Sequence, residues 1–400
     1  MRRNQNKTVT SSQRGISLVE LLIAISLGLF LTWGATQAYL VGKQTYSMQQ
    51  ALSRIQENGR MVHELMAYEV RNAGSIGCVS RMLMENSSTG TGCSSGVSML
   101  NSPNSVEYNF GNIVYGINDA DGSPTSGQPF AGTGGLSPAP KAQTDVLLVR
   151  GISSTAATQL SGNTTGNGSG NFPVMLNAAP DGGGCVDGGI CNNDILVLSD
   201  CVKAKIFQVT NVGGGLSFAH AVSARNQCSQ WTGTVPFMAG AQVAKMYNNF
   251  YYVANNVAGR PALYMAGLDG VGTELLEGVE DMQIEYGVGK EDQTPCTDAS
   301  QLGTGYEIDQ YKTADQVTAQ EWSAWDELLC DTATPRRAVV AVRYSLLVRS
   351  EDWVLDAPQH YNFNGVDYVG GVQGTVATAA SDRRLRQIFT TTVSIRNQVK

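Results

Sequence analysis

The feature that most constrains this chain is a run of 22 residues without a charge, Leu21–Gly42, dominated by Leu, Ile, Ala and Phe. As an α-helix it spans about 33 Å, enough to cross a hydrocarbon core of about 30 Å. Arg2, Arg3, Lys7 and Arg14 precede it with no acid among the first fifteen residues. Such a distribution holds the basic end on the cytoplasmic side. An ordinary secretory signal fits poorly, because its apolar region runs about 7–15 residues before a small-residue cleavage site. A plain signal anchor fits better but leaves Glu20 unexplained. That carboxylate lies inside the apolar segment Ile16–Gly42, where it costs about 2.5–3.5 kcal/mol unless paired or near the interface. A cut between Gly15 and Ile16 would create an α-amine four residues away, one helical turn from Glu20. The amine could neutralise Glu20 in its own chain or in a neighbour staggered by one step.

The helix should continue past Lys43. Met48, Leu52, Ile55, Val62, Leu65 and Met66 recur at helical spacings with Gln49, Arg54, Glu57 and Arg60 between them, so one face is apolar. The pattern predicts a helix from Ile16 to Ala73, weakened in its middle by Gly59 and ending near Gly74 and Gly77. Four segments follow: residues 1–15 as a leader, 16–42 as the membrane-spanning half, 43–77 as the amphipathic half, and 78–400 as a globular body.

That body reads as strand-rich. Charged residues are only 15% of the chain and Gly numbers 45, which excludes a long coiled coil or a charge-driven disordered chain. A net charge of −7 disfavours nucleic acid as a partner. Residues 82–190 form a Gly/Ser/Thr/Asn-rich insert, clearest at Gly162–Gly170, punctuated by apolar runs at Ile113–Ile117 and Asp145–Arg150. Strands are expected at Asp194–Leu198, Lys203–Thr210, Leu216–Ala219, Val243–Val253, Val279–Val288, Ala338–Val348 and Leu385–Ile395. A helix is expected over Thr313–Leu329, with Trp322, Trp325 and Leu329 on one face. The class is α+β, with one antiparallel sheet laid across the second half of the long helix.

Arg14-Gly15-Ile16-Ser17-Leu18-Val19-Glu20-Leu21-Leu22-Ile23-Ala24 resembles the type IV prepilin signature. The resemblance implies cleavage after Gly15 by a membrane prepilin peptidase, N-methylation of Ile16, and a role for Glu20 in subunit addition. Two departures stand out. The first mature residue is Ile16 where Phe is usual, and Gln37 stands where major pilins carry a kinking Pro, which argues against a major fibre subunit. Further in, Glu69–Cys78, Gly278–Val288, Ala341–Ser350 and Asp382–Asn397 look like segments of PilW-type minor pilins. That resemblance implies a pilin-like fold and a low-copy subunit of the inner membrane and pilus fibre. It would join other minor pilins to prime assembly, at or near the tip beneath an adhesin.

Eight cysteines, Cys78, Cys93, Cys185, Cys191, Cys201, Cys228, Cys296 and Cys330, lie beyond the membrane segment. An oxidising compartment would join them into up to four disulfides stapling long loops, with 105 pairings open. Loop closure favours sequential bridges, Cys78–Cys93, Cys185–Cys191, Cys201–Cys228 and Cys296–Cys330. Scattered His63, His220 and His360 and the lack of a C-x₂-C argue against zinc. Gly92-Cys93-Ser94-Ser95-Gly96 matches a nucleophile elbow only by chance, since it lies in a Ser/Gly loop. Asn118–Ser123 lacks the first and last ligands of a calcium loop and reads as an Asx turn. Phe250-Tyr251-Tyr252 reads as strand core, and Arg383-Arg384-Arg386 as a solvated strand end or a contact for an acidic partner. No cofactor is implied, and an enzyme is the weakest class. The alternatives to a minor pilin are a minor pseudopilin of a type II secretion system and a pilus-associated adhesin or DNA-uptake module. Deleting Ser153–Gly170 would test the last.

Overall fold

The computed structural model describes residues 15, 17–75, 77, 99–100, 108–110, 112–119, 135–164, 172–174, 185–186, 189–200, 203–213, 217–223, 225–227, 236–291, 306–322 and 337–397. One helix, α1, runs unbroken from Leu18 to Asn72, 55 residues and about 83 Å. Its apolar face turns inward only from Ile55 on, burying Ile55, Val62, Met66 and Val70, each contributing about 1.5–3 kcal/mol, while Met48 of the expected stripe stays exposed and Leu52 half-buried. Gly59 does not interrupt it. The ring of Phe389 lies against Gly59, where a Cβ would stand 2.5 Å from Cζ. This glycine is a contact point instead of a weak spot.

Two antiparallel sheets receive the helix, not one. In chain order their strands are β1 Val114–Ile117, β2 Val146–Gln159, β3 Ile195–Ser199, β4 Ala204–Gln208, β5 Gln242–Asn255, β6 Pro261–Ala266, β7 Gly272–Glu277, β8 Val279–Glu291, β9 Tyr306–Lys312, β10 Arg337–Trp353 and β11 Arg384–Ser394. The first sheet has order β1-β2-β5-β6-β7, with β3 on the start of β5 and β4 on β3. The second has order β9-β8-β10-β11. Backbone bonds stitch the two together: Asp145 N–H donates to the Met282 carbonyl at 2.9 Å, and Gly278 N–H to the Pro261 carbonyl at 2.9 Å.

The second sheet lies under the helix, with β10 and β11 against it. Leu147 and Val149 of β2, Tyr251 and Val253 of β5, Tyr286 of β8, Tyr344 of β10 and Val393 of β11 share one core with the helix stripe. The opposite faces of β2 and β5 are buried too. Val146, Leu148, Phe250 and Tyr252 join a separate core with Leu136 and Tyr264. Burial on both faces explains why Asp145–Arg150 and Phe250–Val253 read as continuous apolar runs, without alternation.

Several expectations change. β2 continues through Ser153 to Gln159 in a stretch read as loop, because β5 pairs with it from Gln242 to Tyr251. Removing Ser153–Gly170 would therefore cut a ladder as well as a loop. β6, β7 and β9 were not anticipated; Glu274 and Glu277 dilute the apolar pattern of β7, Glu307 and Asp309 that of β9, and β6 is short and opens with Pro261. Of the helix expected over Thr313–Leu329, the described part, up to Trp322, is a 3₁₀ turn at Ala314–Gln316 followed by α2, Ala319–Trp322. Trp322 packs against Tyr115 and Tyr286, with ring centroids at 4.9 and 4.7 Å. Trp325 and Leu329 lie outside the described residues. Cys185 and Cys191 form a disulfide across a two-strand ladder. The other six cysteines lie outside the described residues, so a set of stapled loops reduces here to that one bridge.

Candidate functional site

The first half of α1 is left uncovered by the described residues of the body. Leu18 through Val41 are exposed throughout, with Leu31 at 75% and Phe30 at 73%. No part of the helix's most apolar window is buried. In water such a surface is a large uncompensated apolar patch, and its length suits a bilayer or a bundle of like helices. Glu20 lies exposed in the first turn behind the N-cap Ser17. There the partial positive charge of the helix terminus favours a carboxylate. Gly15 is exposed, and Ile16 lies outside the described residues. Ser26, Thr32 and Thr36 turn their hydroxyls back onto carbonyls one turn earlier, so they present no unsatisfied donor to an apolar medium.

Polar contacts hold the second half in place. Asn249 Nδ2 donates to both Glu69 carboxylate oxygens at 2.9 Å. Tyr344 Oη donates to the His63 carbonyl at 3.2 Å, and His63 Nδ1 lies 2.9 Å from Thr391 Oγ1. Asn397 Nδ2 donates to the Ala73 carbonyl at 2.8 Å, closing the end of the helix. His63 is thus a packed and bonded residue of this seat.

At the base of the body sits a buried charge cluster that sequence reading missed. Arg386 is only 1% exposed in its side chain. Its Nε donates to Glu280 Oε2 at 2.7 Å and its Nη1 to Asp382 Oδ1 at 2.7 Å. Arg349 adds a bond to Glu280 at 3.2 Å and Arg384 one to Asp382 at 2.9 Å. Burial alone would raise the Asp382 carboxyl, but the hydrogen bonds from Arg386 and Arg384 outweigh it and hold it at about 2. A small sheet of three strands, His360–Phe363, Val366–Val369 and Val372–Gln373, closes over the cluster. It can do so because Gly371, at φ +84°, brings its backbone against the Arg386 guanidinium, which lies 2.4 Å from where a Cβ would stand. Of the expected solvated trio, only Arg383 is exposed. The sole sequence signal was a basic residue at an inward position of an alternating strand, and only the acids of distant segments make sense of it.

The remaining singled-out residues are structural. Asp119 takes a positive φ of 49° and donates its N–H to Asp145 Oδ1 at 3.0 Å, while Ile284 N–H donates to Oδ2 at 2.7 Å. Burial pushes the Asp145 carboxyl up to about 7 despite these two bonds. Phe250, Tyr251 and Tyr252 are buried strand core. His220 is buried and His360 lies on the small sheet. Residues 92–96 and 120–123 lie outside the described residues. Among the described residues no three His, Cys, Asp or Glu side chains gather as a metal ion would need.

Two family models match. Residues 10–36 match the prokaryotic N-terminal methylation motif, and residues 250–397 match the type IV pilus-assembly protein W family. The first covers Gly15, Ile16, Glu20 and the start of the exposed helix. The second begins late in β5 and takes in β6–β11, including the surfaces of β10 and β11 that seat the helix. No curated protein and no solved structure matches the chain. A bare apolar helix entered through a methylation motif, set on a carboxy-terminal region that matches the PilW model, gives the chain a type IV pilin-like layout and supports a part in pilus assembly.

Proposed function

We propose that this chain is a minor pilin of a type IV pilus. Prepilin peptidase cuts it between Gly15 and Ile16 and methylates Ile16. The subunit waits in the inner membrane through residues 16–42, with residues 43–77 seating the helix on a periplasmic body, 78–400. It then enters the fibre at or near the tip with other minor pilins, priming assembly beneath an adhesin. The observation that carries this reading is the exposed half of α1, which is bare of its own body and begins at the methylation motif. Glu20 pairs with the new amine of its own or a neighbouring subunit, so that a charge enters the fibre core neutralised. The work is structural, done by anchoring and helix packing, as is general for these families.

Mass spectrometry of the N-terminal peptide tests the processing step. Methylated Ile16 in both sheared fibres and membranes is the expected result, and an intact leader in both would overturn it. In the Glu20→Ala variant, processing should persist while incorporation into fibres is lost. Normal incorporation would remove Glu20 from the mechanism.

A further inference from the structure

We propose that the neck of the molecule, where α1 leaves its body, is a binding site for the headgroups of anionic phospholipids. This rests on the reading that Leu18–Gly42 crosses a membrane. Three observations meet at one level of the helix. First, the apolar run ends at Lys43, and the body approaches the helix just there: Gln44 Nε2 donates to Asp356 Oδ1, holding the segment after β10 against it. Second, a groove of about 280 Å³ opens at this joint. Its walls carry two cations, Lys43 and Arg383, and the adjacent Asp356 carboxylate is engaged by Gln44. Three of the surrounding arginines are neutralised within the molecule, Arg260 by Glu277 and Glu351, Arg349 by Glu280, Arg384 by Asp382. Lys43 and Arg383 form no ion pair among the described residues and are both exposed. Third, three aromatic side chains stand exposed around the joint: Tyr39 at 69%, Tyr46 at 68% and Trp353 at 58%.

Exposed Trp and Tyr at the end of an apolar span are what the headgroup layer of a bilayer accommodates, with the ring in the interface and its polar edge in water. Arg383 lies over the Trp353 ring, 5.2 Å from its centroid. That contact fixes the cation at the same depth as the aromatic plane. Two cations without an ion pair among the described residues, beside an Asp356 already held by Gln44, select phosphate, and the depth set by Lys43 selects the phosphate of a lipid. Each such cation is favoured near an anionic surface. Held by this neck, the body would stand at a fixed tilt on the membrane.

The test uses the full chain in vesicles of phosphatidylcholine with and without phosphatidylglycerol, with bromine on the lipid acyl chains near the headgroup. Quenching specific to Trp353 is the difference between the wild type and Trp353→Phe. It should be present in vesicles containing phosphatidylglycerol. It should drop to the phosphatidylcholine level in Lys43→Gln/Arg383→Gln, two exposed substitutions that leave the core untouched. Inorganic phosphate should not release it. Equal quenching in both vesicles, indifference to the double variant, or release by inorganic phosphate would each overturn the lipid assignment. Alkaline carbonate separates the two readings. A chain extracted by carbonate defeats the membrane span itself, while a resistant chain without Trp353 quenching defeats only the neck site.

Discussion

Gly59 illustrates how one residue can carry two opposite expectations. In an exposed helix, Gly→Ala gains about 0.5–1 kcal/mol. Here the added methyl meets three atoms of the Phe389 ring within 2.7 Å. Displacing a packed side chain typically costs about 1–3 kcal/mol, so Gly59→Ala should lower stability by about 1 kcal/mol in denaturant unfolding. Adding Phe389→Leu should recover most of that loss. Asp145 and Asp382 set opposite limits on pH. The Asp145 carboxyl is raised from its ordinary value to about 7 by burial, so its contribution is complete below about 4 and is lost as pH rises through 7. Asp382, held at about 2, contributes fully above about 4 and loses its share as pH falls through 2. Thermal unfolding should therefore show a midpoint declining from pH 5 to pH 8, and Asp145→Asn should flatten that decline. An unchanged slope in the variant would exclude Asp145 as its source.

At the scale of elements, α1 is one helix in two environments, and this much was written in its sequence. An uncharged run followed by spaced Ile55, Val62 and Met66 shows where burial begins, because helical periodicity is local. The late strands β8, β10 and β11 were legible for the same reason. What was not legible depends on distant partners. The Ser/Thr-rich end of β2 is strand only because β5 runs beside it. The helix expected after Thr313 shrinks, among the described residues, to one turn that serves to seat Trp322 between Tyr115 and Tyr286. Arg386 looked like a surface charge until Glu280, 106 positions earlier, was found beside it. Removing that guanidinium leaves two carboxylates partly buried beside only Arg349 and Arg384. Arg386→Met should cost about 3–5 kcal/mol, and Arg386→Lys should recover little, since an ammonium cannot reproduce the paired fork contacts. Urea midpoints of the three proteins would check this. The proposed cut between Gly15 and Ile16 rests on the resemblance to the prepilin signature and on the partner that a new amine would give Glu20.

For the whole molecule, the helix seat is closed by the last strand. Deleting residues 384–400 should free the stripe from Ile55 to Val70 and let the helix fray, so that trypsin cleaves rapidly at Arg71 and at Arg54 and Arg60, which are exposed but held in helix in the intact chain. The intact chain should resist cleavage there, as followed by limited proteolysis. The same arrangement has a consequence during synthesis. Thr391, which bonds His63, follows it by 328 positions. At about 5–20 residues per second the ribosome takes roughly 15–65 s to cover that interval. On the proposal that Leu18–Gly42 spans a membrane, the anchor would be committed to the bilayer before its own cradle exists, and the nascent helix would spend that time with its apolar face uncovered, open to whichever neighbouring chain is emerging beside it.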